Sequence, residues 1–241
     1  LVIGVQVSPL AARLQAPTLG PWAALASRGE LLAGALLVAL PVFLQAPWVR
    51  LAPVTATLFT APLLAAGILL ERRFRGWSGN AGSLLVGFSG SWLAGCLFWG
   101  WCRLHPIWHL PIEAFALPLA LAGLGSRWRL GCAFYLGSLL GTAATDAAIA
   151  ATGLMPLWPQ VLDAAPADAA LLLQQAAQRV LEPRCLALVI LAAILLLKIC
   201  GWLWGRGQSA RVASTALATT LAIDGLFLAM ALLAPRLSGL I

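Results

Sequence analysis

Two histidines and a glutamate stand at intervals of four, His105, His109 and Glu113, inside the string HPIWHLPIEAFALP of residues 105–118. On a continuous helix that spacing brings all three to one face. Two imidazoles and a carboxylate form a ligand set used for zinc and for non-haem iron. A single imidazole could instead ligate a haem or a chlorophyll. A third reading is a hydrogen-bond network, with Glu113 bonding to His109, to an amide freed near the proline, or to a neighbouring helix. A proton or ion path is the fourth. No HExxH motif and no second ligand cluster accompanies the string, so the network is the reading adopted. No metal or cofactor is expected, and a bound pigment or haem is left open. Pro111 lacks the amide that would bond back to Ile107. The regular helix is therefore expected to begin near Pro111, with His105 and His109 in a turn or distorted first turn.

Two further acids, Asp146 and Asp224, lie within apolar runs, and each has a threonine four residues earlier, Thr142 and Thr220. Those hydroxyls can donate to the carboxylates or bond their own backbone. Gly137 and Gly141 make a GxxxG pair that lets another helix approach closely. A charge at the centre of a bilayer costs about 2.5–3.5 kcal/mol on insertion scales, so each of these acids calls for a partner or a task. Lys198, nearer the end of its run, can snorkel to the headgroups.

The elements that position these residues are membrane helices. Of 241 residues, 61% are hydrophobic and only 10% charged, and the mean hydropathy is +0.93. That composition excludes a soluble globular domain. The net charge of +7 comes from basic residues at the ends of apolar runs, which fits membrane topology rather than nucleic acid. Five cysteines without a CxxC pair give neither a zinc site nor a disulfide framework. The chain begins at Leu1, and residues upstream are expected. Residues 1–29 read as a non-spanning segment and 30–241 as one transmembrane helical domain.

Seven spans are expected, at 30–46, 51–70, 81–101, 110–124, 130–151, 185–204 and 212–233, or six if the short fourth is re-entrant. With seven crossings, Arg13, Arg28, Arg72, Arg73, Arg75, Arg127, Arg129, Lys198, Arg206 and Arg211 collect on one side. Arg50, Arg103, Arg179, Arg184 and Arg236 collect on the other, a ratio of ten to five against eight to seven for a re-entrant fourth span. The positive-inside rule thus favours seven crossings and a cytoplasmic N-terminus. In that topology His105, His109, Glu113, Asp146 and Asp224 all fall in the outer half. Glu113 is expected to contact His109 and to face the fifth and seventh spans. Residues 152–184 form an outer loop ending in an amphipathic helix that starts near Asp168.

The strings WHLPIEAFALP and FYLGSLLGTAATD, with Trp108, His109, Pro111, Glu113, Tyr135, Gly137, Gly141, Thr142 and Asp146, resemble an uncharacterised integral-membrane family of cyanobacteria, a domain of unknown function. The likeness covers roughly residues 30–235. It implies a plasma or thylakoid membrane and brings no activity, cofactor or substrate with it. Three functions follow in order of preference. The first is a non-catalytic auxiliary or assembly component that meets lipid and the subunits of a larger complex. Next comes a small transporter using the carboxylates for a proton or cation. An enzyme built on His105, His109 and Glu113 comes last, since P-loop, GxSxG and HExxH motifs are absent.

Overall fold

The computed structural model describes residues 21–235, and within them every regular element is helical. Arg13 and Arg236, counted in the charge comparison, lie outside the described residues, as does most of the segment 1–29. Helix α1 runs α-helical over Pro21–Leu40, passes through a π-helical turn at Pro41–Gln45 and resumes over Ala46–Leu51. Pro41 and Pro47 lack the amides that would bond to Leu37 and Phe43, and the ladder loosens there. The long helices that follow are α2 (Pro53–Arg73) and α3 (Trp77–Cys102). Two short helices come next, α4 (His109–Glu113) and α5 (Leu117–Gly123). Beyond them lie α6 (Arg129–Ala151), α7 (Leu157–Asp163), α8 (Pro166–Val180), α9 (Pro183–Trp204) and α10 (Gln208–Leu233). Six of these, α1, α2, α3, α6, α9 and α10, are long and apolar enough to cross a membrane.

Close contacts fix the direction of each helix. Glu30 of α1 meets Asn80 of α3 and Gln208 of α10, while Gln45 meets Trp92 and Cys96 higher on α3. Gly137 of α6 lies against Ala213 of α10, and Gly141 against Thr220. Thus α1, α3, α6 and α10 run parallel. Helices α2 and α9 return antiparallel: Ala56 meets Trp92 while Glu71 meets Gly82, and Cys200 near the end of α9 meets Ser214 near the start of α10. We call the end that holds Ser27, Gly76 and Gly207 the near end, and its opposite the far end. Gly76 and Gly207 sit at φ of +64° and +96° in the near-end turns, where a Cβ would be strained.

Parallel α3 and α6 leave one connection to cross the whole bundle, and residues 103–128 make it. His109 packs on Phe98 at the far end, Ala116 lies beside Gly90 and Tyr135 at mid-depth, and Arg127 reaches Glu71 at the near end. This segment is the fourth crossing, built from two short helices rather than one long one. The bundle therefore has six long crossings and one broken one.

The core gathers around α3. Leu84, Phe88 and Trp92 pack with Phe134 of α6, Val212 of α10 and Val49 of α1. Trp92 donates its indole N–H to the Ala56 carbonyl at 2.9 Å. At the far end α7 and α8 lie against each other, with Ala169, Leu173 and Val161 buried between them. Helix α8 matches the amphipathic helix expected after Asp168. The proline-containing stretch before it forms α7, which the pattern did not disclose.

Candidate functional site

Pro106–Trp108 form one 3-10 turn, after which α4 starts at His109 and carries Pro111 in its first turn. That turn aims the His109 ring at α6. Its Nδ1 lies 2.9 and 3.0 Å from the two carboxylate oxygens of Asp146. An ionised carboxylate can only accept, so against an ionised Asp146 it is Nδ1 that carries the donated proton. Asp146 is buried. The ring packs against Phe98 at a centroid distance of 4.4 Å and against Trp158 at 5.7 Å. Trp158 stacks on Trp99 and donates its indole N–H to the Arg103 carbonyl at 2.9 Å, which pins α7 over the pair. The π-helical turn Phe98–Cys102 near the end of α3 supplies both Phe98 and Trp99 to this aromatic cover.

Glu113 closes α4. The expected contact between Glu113 and His109 does not form, because Asp146 takes the imidazole instead. An imidazole gains more from a carboxylate on a rigid neighbouring helix than from one four residues on across a proline-distorted turn. Glu113 follows His109 by one helical turn on α4. Its backbone is held by Tyr135, whose hydroxyl donates to the Glu113 carbonyl and accepts from the Ala116 amide at 3.2 Å. Those two backbone groups are orphaned by the break between α4 and α5. In an apolar surrounding they need a partner, and the tyrosine serves both.

Asp224 accepts from Thr145 Oγ1 at 2.6 Å. The threonines singled out by spacing behave otherwise: Thr142 and Thr220 bond the carbonyls of Ser138 and Ala216 within their own helices. His105 stays apart from the cluster. It is exposed in the turn before Pro106, beside Arg50 and Arg103 on a far-end pocket of about 210 Å³. The structure thus brings His109, Glu113, Asp146 and Asp224 together in the far half of the bundle. His105 stands at its rim, and Thr142 and Thr220 play backbone roles. Among the described residues, no group of three or more His, Cys, Asp or Glu is placed to hold a metal ion.

Thr145 was missed because its spacing of one from Asp146 points it to the next helix rather than to its own acid. A second polar cluster was missed at the near end. Glu30, 4% exposed, accepts from Asn80 Nδ2 and, at 2.8 Å, from Gln208 Nε2. Gln208 also bonds Ser27 through its own carbonyl and amide. The signal was available in principle: Glu30, Asn80 and Gln208 each stand at or just before the start of an apolar run on one of three parallel helices.

Fold and site together define a polytopic helical membrane protein with a partly buried histidine–carboxylate cluster towards one end. The chain belongs to the family described as Protein of unknown function (DUF3120), which matches residues 34–232. No curated protein and no solved structure matches it.

Proposed function

We propose that this protein is a non-catalytic component of a larger membrane complex, acting as an auxiliary or assembly subunit. The observation that carries this reading is that three of the acids within the helices are answered inside the bundle itself. His109 takes Asp146, Thr145 takes Asp224, and Asn80 with Gln208 takes Glu30. Polar groups consumed in this way specify how helices pack and leave little free chemistry. Resemblance to a cyanobacterial family makes a pigment-bearing complex of the plasma or thylakoid membrane the first partner to test. After gentle detergent extraction, the protein should migrate on a native gel with a large complex and share its absorption spectrum. Migration as a colourless monomer or dimer would overturn the proposal.

One observation favours a second reading, passage of a proton or small cation. Four titratable side chains from α4, α6 and α10 share one patch, and Glu113 there receives no side-chain hydrogen bond among the described residues. Under this reading Asp146→Asn and Asp224→Asn each abolish activity while the protein still accumulates. Normal growth and normal complex assembly in both variants would exclude it.

A further inference from the structure

Helices α9 and α10 touch through Cys200 and Ser214, whose Oγ donates to the Cys200 carbonyl at 3.0 Å. Beside that contact a groove of about 420 Å³ opens between Gly201 and Trp204 on α9 and Thr215, Ala218 and Ala222 on α10. Its threonines keep their hydroxyls on their own helix: Thr215 bonds the Arg211 carbonyl at 2.9 Å and Thr219 the Thr215 carbonyl at 2.8 Å. With those hydrogens spent, the walls offer water no hydroxyl donor and, being mostly apolar, suit a hydrocarbon chain.

Two arginines stand in and just after the turn that joins these helices at the near end of the groove. Arg211, one turn before Thr215, donates from Nε to the Trp204 carbonyl at 3.0 Å, and its guanidinium lies 6.0 Å from the Trp204 ring centroid. Arg206 sits 3.6 Å over the Trp202 ring. Between Glu182 and Asp224 the chain carries Arg184, Lys198, Arg206 and Arg211 and no acid at all. The near-end acids are engaged elsewhere, Glu30 with Asn80 and Gln208, and Glu71 with Arg127 at 3.4 Å. Tryptophans at this level mark the headgroup depth of a bilayer, where guanidinium groups match a phosphate.

We infer that this groove holds one acyl chain of an anionic phospholipid whose phosphate is bound by Arg206 and Arg211. The charge of these arginines distinguishes this lipid from a zwitterionic one with the same chains.

The test uses the full chain in nanodiscs containing equal amounts of phosphatidylglycerol and phosphatidylcholine of identical chain length. Lipid retained on release from the disc is then counted by native mass spectrometry. The wild type should keep one phosphatidylglycerol in preference to phosphatidylcholine. Replacing both arginines, Arg206→Gln with Arg211→Gln, should cut that preference roughly tenfold or more. A Cβ at Gly201 meets nothing within 4 Å, so Gly201→Leu can fold normally while filling the groove, and it should release the lipid. Equal retention of the two lipids by the wild type would overturn the inference. So would phosphatidylglycerol bound as before by a Gly201→Leu protein with unchanged melting temperature.

Discussion

Tyr135 is the single tyrosine of the chain, and its hydroxyl answers a donor and an acceptor on either side of the same backbone break. Tyr135→Phe keeps the ring and removes both bonds. The expected loss is roughly 1–3 kcal/mol, the cost of leaving buried backbone groups unpaired, read as a lowered melting temperature in detergent. At the far-end pair, Asp146→Asn retains an oxygen for the His109 proton and should be mild, within about 1 kcal/mol. Asp146→Ala leaves the imidazole facing an apolar wall and should cost roughly 2–4 kcal/mol in the same measurement. Equal melting temperatures for the Asn and Ala variants would show that the pair does not stabilise the bundle. How far these residues were legible follows from one distinction. Depth is encoded in the sequence, because position along an apolar run sets height in the bundle, so Glu113, Asp146 and Asp224 were placed together. Partnership depends on how neighbouring helices are rotated, and no periodicity states that. His109 therefore went to Asp146 rather than Glu113, and Thr145 was passed over for Thr142.

At the scale of elements, close approach of parallel helices rests on particular glycines. A Cβ on Gly131 would overlap the Ser83 carbonyl oxygen, one on Gly87 the Gly131 carbonyl, and one on Gly137 the carbonyl of Ala213. Gly131→Ala or Gly137→Ala must push α6 away from α3 or α10. Overpacking of this kind costs about 1–3 kcal/mol, and more where the obstacle is backbone. Gly201→Ala should be neutral or stabilise by up to about 1 kcal/mol through helix propensity alone. Thermal unfolding of the three variants side by side checks the contrast, and a Gly201→Ala protein as damaged as Gly131→Ala would refute it. The long helices were readable because each is a long apolar run with basic or aromatic ends. The breaks were not: Pro41 yields a π-helical turn and Pro159 sits inside α7, because the same residue can end, kink or begin a helix according to its surroundings.

For the whole molecule, parallel α3 and α6 demand an odd number of passages between α1 and α6, and the charge ratio gives those passages a direction. With the five native cysteines replaced, single cysteines placed in residues 74–76, 125–127 and 205–207 should label from the cytoplasmic face. Those in residues 103–105 and 153–156 should label from the opposite face. Labelling of residues 74–76 and 153–156 from one face would contradict the arrangement. The ratio of ten to five favours seven crossings over six, and the parallel run of α3 and α6 agrees with it. What it could not supply was the form of the fourth, since charge counts register which side a loop occupies and not how the chain travels between sides.

The broken crossing also constrains how the protein is made. The amide and carbonyl left unpaired at its break find their partner in Tyr135, which lies on the helix that emerges later from the ribosome. Until α6 arrives, the Glu113 carbonyl and the Ala116 amide have no partner in hydrocarbon. The nascent chain must therefore hold this stretch at the interface, or within the insertion machinery, and commit it together with its successor. Biogenesis of the fourth and fifth crossings becomes a single cooperative event, and a chain truncated before residue 135 should leave the fourth uninserted.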